Sequence, residues 1–131
     1  TIEEPLALVP LLAAPAADVV VIDCLTLWLS NLLLGARSEP QIEAEIEALA
    51  EAIARCPAHV VLVTNEVGMG VVPESRLGRA FRDLAGRAHQ RLCAQADEIY
   101  AGVLGCLLRL KPGPVELVSG ARSGAVSGAA E

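Results

Sequence analysis

Two acidic side chains and an amide stand where short apolar runs give out. Asp23 closes "VVVID", while Asn65 and Glu66 follow "VVLVT", with Gly68 and Gly70 close behind in "TNEVGMG". A carboxylate at the end of a buried strand is one way to hold Mg²⁺, directly or through water, because a hard cation takes oxygen ligands from a rigid platform. Enzymes that work on nucleotide triphosphates use that arrangement. An Asp capping the helix that follows leaves the same trace, so this pattern alone leaves both readings of Asp23 open. Asn65 and Glu66 likewise fit either a ligand-facing loop or a polar strand end whose side chains bind nearby backbone. The two glycines permit positive φ and a close approach of backbone to a ligand or a neighbouring chain.

The elements that must position these residues are legible from periodicity. "DVVVID" and "HVVLVTN" are apolar without alternation, which predicts strands buried on both faces. Leu25 to Leu34 reads as a helix closed by Gly35. A second helix opens with Ser38 and Gln41 at capping-box spacing and Pro40 in its first turn, and carries Ile42, Ile46, Leu49 and Ile53 three and four apart. Pro57 ends it. A third runs from Glu74 to Ala96 with a stripe of Leu77, Phe81, Leu84, Ala88 and Leu92. Arg76, Arg79, Arg87 and Arg91 flank that stripe and fit either a solvated face or an anionic partner, such as a phosphate or another subunit's acids. "DEIYAGVLGCLLRLK" adds one or two apolar strands. Strands alternating with helices predict a parallel sheet with helices on its faces, and residues 1–112 read as one unit. In such sheets ligands bind beyond the carboxyl ends of the strands, where Asp23, Asn65 and Glu66 fall.

Composition removes several classes of function. The chain has 131 residues, is 53% hydrophobic and carries a net charge of -6. That supplies one core but no electrostatic footprint for nucleic acid. Aromatics are 2%, too few for stacking on bases. Cys24, Cys56, Cys93 and Cys106 form no CxxC pair and read as reduced core residues of a cytoplasmic protein. "TIEEP" has acids where an export signal carries basic residues. The run from Val19 to Leu34 is interrupted by Asp23, Ser30 and Asn31, so no membrane span is expected. The Thr start predicts a fragment of a longer protein, although processing would leave the same start.

"VVVIDCLTLWLSNLLL" together with "HVVLVTNEVGMGVVPESRLGRAFRDLAGRAHQRLCAQADEIY" resembles the bifunctional cobinamide kinase and cobinamide-phosphate guanylyltransferase family of cobalamin biosynthesis. The resemblance runs from Thr1 to about Pro112. It implies a P-loop, RecA-like α/β fold with a mostly parallel sheet and helices on both faces, amino-terminally truncated or permuted in this chain. It also implies two reactions. A nucleotide γ-phosphate passes to the hydroxyl of adenosylcobinamide, with Mg²⁺ and backbone amides offsetting charge. A histidine then attacks the α-phosphorus of GTP, and the substrate phosphate takes the GMP to give adenosylcobinamide-GDP. By alignment with the family, Glu3 and Asp23 contact the nucleotide, which is GTP or ATP. Asn65, Glu66, Gly68 and Gly70 form a loop at the cleft or at a subunit interface. Family members are homotrimers.

The family's phosphate loop, G-G-A-R-S-G-K-S, and its nucleophilic histidine belong before the segment resembling "TIEEP". His59 and His89 match neither, and read as structural or surface histidines. The tail, residues 113–131, contains "ELVSGARSGAVSGAAE", which resembles a displaced copy of that strand and loop. Ser119 stands for the first glycine, Ala125 for the lysine and Val126 for the serine, so the groups that meet the β and γ phosphates and Mg²⁺ are missing. Gly120, Ser123 and Gly124 retain a backbone able to form an anion nest. A flexible tail and a strand that replaces the first strand in permuted order both fit. The expectation is little or no turnover by this chain alone, with a non-catalytic nucleotide-binding or oligomerising domain as the alternative. An unrelated nucleotide-binding α/β domain does not account for patterns this long.

Overall fold

A computed structural model describes residues 1–118. These fall into two compact units, Thr1–Gln95 and a second beginning at Ala96, so the division lies inside the stretch 1–112.

The first unit runs α1 (Leu8–Ala13), β1 (Val19–Asp23), α2 (Leu25–Leu34), α3 (Glu39–Arg55), β2 (His59–Val63) and α4 (Arg76–Gln95). The helix starts follow from their capping residues. At α3, Gln41 Oε1 accepts the Ser38 N–H at 2.9 Å, which satisfies a donor that the helix leaves free, and Pro40 fits the first turn because no intrahelical N–H is needed there. At α4, the Ser75 hydroxyl accepts the Gly78 N–H at 3.0 Å. A Cβ at Gly78 would lie 2.7 Å from the Pro73 Cβ, so glycine is what lets the preceding loop close on the helix. The short α1 was not foreseen. Its Pro10 occupies the first turn, where proline is tolerated.

β1 and β2 pair in parallel, from Val19 beside His59 to Asp23 beside Val63. All four helices contribute to one core, including Leu12, Leu29, Ile42, Leu49 and Leu84 together with Ile22 of β1, against which Val20, Val60 and Leu62 pack. The expectation of helices on both faces is corrected here. Val19, Val21, Val61 and Val63 on the opposite face are 52, 60, 48 and 40% exposed, so the described helices cover one face only. Apolar runs predict strands that can be buried on both sides, and four valines on the open face explain why these two read that way.

The second unit is antiparallel, which corrects the expectation of a mostly parallel sheet throughout. β3 (Ile99–Val103), β4 (Cys106–Lys111) and β5 (Glu116–Leu117) form a sheet in that order. β3 turns into β4 through Leu104 and Gly105, with φ of 51° and 77°, the two-residue hairpin whose twist matches its strands. β5 pairs with β4 through Leu108 beside Leu117 and Arg109 beside Glu116, and the Arg109 guanidinium bonds the Glu116 carboxylate. Glu116 and Leu117 open the segment that resembles a displaced first strand, but they pair with β4 and not with β1 or β2. Gly120, Ser123 and Gly124 lie outside the described residues.

Candidate functional site at the strand ends

The parallel register sets Asp23 beside Val63, one residue before Thr64, so both strands deliver their polar ends to the same edge of the sheet. Asp23 is exposed, and its side chain makes no hydrogen bond or ion pair among the described residues. The N-cap of α2 is Cys24, with no side-chain cap bond, so Asp23 is not the helix cap that its position allowed. Its carboxylate is therefore open to solvent at the mouth of the crossover.

The loop after β2 is tied from two helices. On the α2 side, Asn65 Oδ1 accepts the hydroxyl of Thr26 at 3.2 Å. Thr26 is buried and also lies 3.2 Å from the Cys24 sulfur, so one small hydroxyl laces the two strand ends together. With Asn65 Oδ1 committed, its amide Nδ2 has no bond among the described residues, and Asn65 is exposed. On the α4 side, His89 Nε2 meets Thr64 Oγ1 at 2.7 Å, and Nδ1 lies 3.6 Å from Glu66 Oε2. The other Glu66 oxygen accepts the Gly68 N–H at 2.5 Å. Glu66 is thus bound locally, as a polar strand end can be, whereas Asn65 is bound to the start of α2.

Gly68 and Gly70 behave differently from each other and from expectation. Among the described glycines only Gly105 has positive φ, so left-handed backbone is not the reason for either. A Cβ on Gly68 would stand 2.7 Å from Glu66 Oε1, and glycine is needed there so that the carboxylate can reach the amide. A Cβ on Gly70 would meet only the Val67 carbonyl, at an ordinary 3.6 Å. The stretch beyond is apolar and open, with Met69, Val71 and Val72 exposed.

Glu3 is exposed and has no bond among the described residues. The segment behind it is hung on α2, where Trp28 Nε1 donates to the Leu6 carbonyl at 2.9 Å and Asn31 Nδ2 to the Pro5 carbonyl at 3.2 Å. Glu4 folds back to accept the Ala7 and Leu6 N–H groups, and these bonds, Ala7 first, hold its carboxyl below the usual carboxylate range. No hydrogen bond or ion pair joins Glu3 to the strand-end residues.

Two arginines of the α4 flank, Arg87 and Arg91, find their acids within the chain, and Arg76 is exposed. Arg87 pairs with Glu39 and Glu43, and Arg91 with Glu47, all on α3. Arg79 donates to the carbonyls of Pro73 and Glu74. These three lie on a partly solvated face and have partners within the chain. His59 starts β2, exposed, while His89 joins the strand-end cluster, a role that sequence reasoning missed. The only available signal was its place on α4 beside the buried Ala85, Ala88 and Leu92.

No group of three or more His, Cys, Asp or Glu able to hold a metal occurs among the described residues, and no described helix is long and apolar enough to cross a membrane. A fully protein-built cation cage is therefore not what these strand ends offer. A lone accessible carboxylate suits Mg²⁺, which keeps several waters and shares phosphate oxygens.

The class defined by these features is a mixed α/β protein with an accessible carboxylate and an oriented amide at the ends of parallel strands. The family model described as cobinamide kinase / cobinamide phosphate guanyltransferase (CobU) matches residues 1–110, and the chain belongs to that family. It is 48% identical over 106 residues to the bifunctional adenosylcobalamin biosynthesis protein CobU of Salmonella typhimurium, covering 72% of this chain and 59% of that protein. The protein of the same name from Escherichia coli gives the same identity and coverage. The bifunctional adenosylcobalamin biosynthesis protein CobP of Pseudomonas aeruginosa is 42% identical over 118 residues, or 88% of this chain and 67% of that protein. The chain thus spans 59% of the length of the first two relatives.

Proposed function

We propose that the protein carrying this chain acts in cobalamin biosynthesis, phosphorylating adenosylcobinamide and transferring GMP from GTP to adenosylcobinamide phosphate. The observation that carries this reading is the family match across residues 1–110. The fold of the whole domain is then P-loop and RecA-like, the protein is cytoplasmic, and the assembly is a homotrimer, all by family membership.

In this reading the strand-end residues act on the nucleotide. Asp23 offers an oxygen to Mg²⁺, directly or through water, and Mg²⁺ supplies charge neutralisation of the phosphates. The free amide of Asn65 donates to a phosphate or sugar oxygen, its direction fixed by the Thr26 bond. Glu3 contacts the nucleotide, and Gly68 and Gly70 lie in a loop that borders the corrinoid cleft or a neighbouring subunit. The 131 residues contain no G-x-x-x-x-G-K-[ST] run, since Ala125 and Val126 stand where Lys and Ser would. This favours a second reading for the chain by itself, a nucleotide-binding or oligomerising domain without turnover.

The test is incubation with adenosylcobinamide phosphate, Mg²⁺ and α-labelled GTP. The full gene product is expected to form labelled adenosylcobinamide-GDP, and the 131 residues alone to take up no acid-labile label. Absence of product from the full gene product refutes the activity, and covalent labelling of the 131 residues refutes the second reading.

A further inference from the structure

His89 lies against both ends of the turn that presents Asn65. It stands mid-way along α4 with a side chain only 14% exposed. Nε2 reaches Thr64, the first residue after β2, at 2.7 Å, and Nδ1 faces Glu66, two residues further, at 3.6 Å. Nε2 shares a hydrogen bond with the Thr64 hydroxyl, while Nδ1 lies at ion-pair distance from Glu66, longer than a hydrogen bond. Glu66 in turn holds the Gly68 N–H through its second oxygen. Two hydrogen bonds, Thr64 to His89 and Gly68 to Glu66, are therefore joined by the longer His89–Glu66 contact, on either side of Asn65 in the chain. Asn65 is itself pinned from α2 by Thr26.

We propose that His89 is a positioning residue of the strand-end site: from α4 it clamps Thr64 and Glu66, so that the Asn65 amide is held ready for an oxygen of an anionic, phosphate-bearing ligand. The inference rests on the reading that these strand ends receive a nucleotide. A loop tied in this way need not be ordered when ligand arrives, so the entropy of fixing it is spent on folding and not on binding. The side chain touches no ligand in this account and acts only through the loop. An imidazole suits the task because its two ring nitrogens point away from each other and meet two partners at once. A glutamine reaches one of the two, and an alanine neither.

The experiment measures amide hydrogen exchange at Gly68, whose N–H the clamp holds through Glu66, and the affinity for GTP with Mg²⁺ by calorimetry. The proteins are the parent chain, His89→Ala, His89→Gln, Glu66→Gln, and His89→Ala with Glu66→Gln. Removing the ring that holds Thr64 and faces Glu66 is expected to loosen the loop and speed Gly68 exchange about threefold to tenfold in His89→Ala. His89→Gln should recover part of that protection, and should keep the protein folded if the alanine variant does not. GTP affinity should fall about threefold to tenfold with exchange in the β1 and β2 amides unchanged, as for a loss of preorganisation. The double variant should be no worse than Glu66→Gln, because His89 acts on Gly68 through Glu66. Unchanged Gly68 exchange in both His89 variants overturns the clamp. Faster exchange with unchanged GTP affinity overturns its positioning role. A parent chain that does not bind GTP refutes the nucleotide reading instead, and leaves Gly68 exchange to decide the clamp.

Discussion

The α3–α4 ion pairs carry a quantitative expectation that separates a structural staple from an anion site. Arg91 Nε lies 2.9 and 2.7 Å from the two oxygens of Glu47, and Arg91 Nη1 lies 2.9 Å from Gln95 Oε1. Gln95 Nε2 in turn donates to the Ala50 carbonyl at 2.8 Å, so the arginine braces a bridge back to α3. The side chains of Arg91 and Glu47 are 35 and 56% exposed, which places the pair in well-screened surroundings. Discounted for solvent, such a pair contributes about 0.5–1 kcal/mol, toward the upper end because one nitrogen contacts both oxygens. Arg91→Met should cost about 1–1.5 kcal/mol, since the Gln95 bond goes too. A double-mutant cycle with Glu47→Gln isolates the ionic part. Urea unfolding followed by the fluorescence of Trp28, the single tryptophan and a buried one, reports on the first unit alone. At 1 M salt, where the screening length is about 3 Å, the coupling should fall by about half or more. A coupling indistinguishable from zero at low salt refutes the staple. Loss of phosphate binding in Arg91→Met would refute the claim that these arginines are satisfied within the chain.

Leu49 is wholly buried in the core, and Leu49→Ala should destabilise the first unit by about 3 kcal/mol in the same urea assay, whereas a cost below about 1 kcal/mol would show that the core is not packed as described. Thr26→Val replaces a hydroxyl that bonds Asn65 with a buried methyl of nearly the same shape. The lost bond of about 1 kcal/mol and the gained burial of about 0.8 kcal/mol nearly cancel, so thermal stability should hardly move while the Asn65 side-chain amide becomes mobile by NMR relaxation; an amide that stays rigid counts against the tie. In the second unit, Leu104 holds φ of 51° with its side chain 99% exposed. Leu104→Asn should stabilise the hairpin by about 0.5–1 kcal/mol, read as slower exchange of the β3–β4 amides, and faster exchange would contradict the turn type.

Particular residues show what the sequence made legible. Ser38, Gln41 and Pro40 announced α3 because helix starts are satisfied by local chemistry, and Ile42, Ile46 and Leu49 fell inside as the period required. Asp23, Asn65 and Glu66 came to one edge because consecutive strands joined by helices pair in parallel. Leu77 lies on the predicted stripe yet is 51% exposed, since α4 has only begun there and no described neighbour covers it. The antiparallel second unit was hidden because its turn, Leu104 and Gly105, lacks the Asn or Asp that usually marks a two-residue hairpin. The His89 clamp was hidden for a different reason. It depends on which residue of α4 faces a loop that starts 25 positions earlier, at Thr64, and spacing holds no record of that.

The central claim, that the ends of β1 and β2 bind a nucleotide through Asp23 and Asn65, is tested most directly by titrating the isotope-labelled chain with GTP and Mg²⁺ and following its backbone amides. Shifts confined to residues 2–4, 23–27 and 64–68, dependent on Mg²⁺ and abolished in Asp23→Ala, are the predicted result. Amides there that stay still at saturating GTP, shifts centred on Arg87 and Arg91, or an Asp23→Ala variant with unchanged Mg²⁺-dependent binding would contradict it.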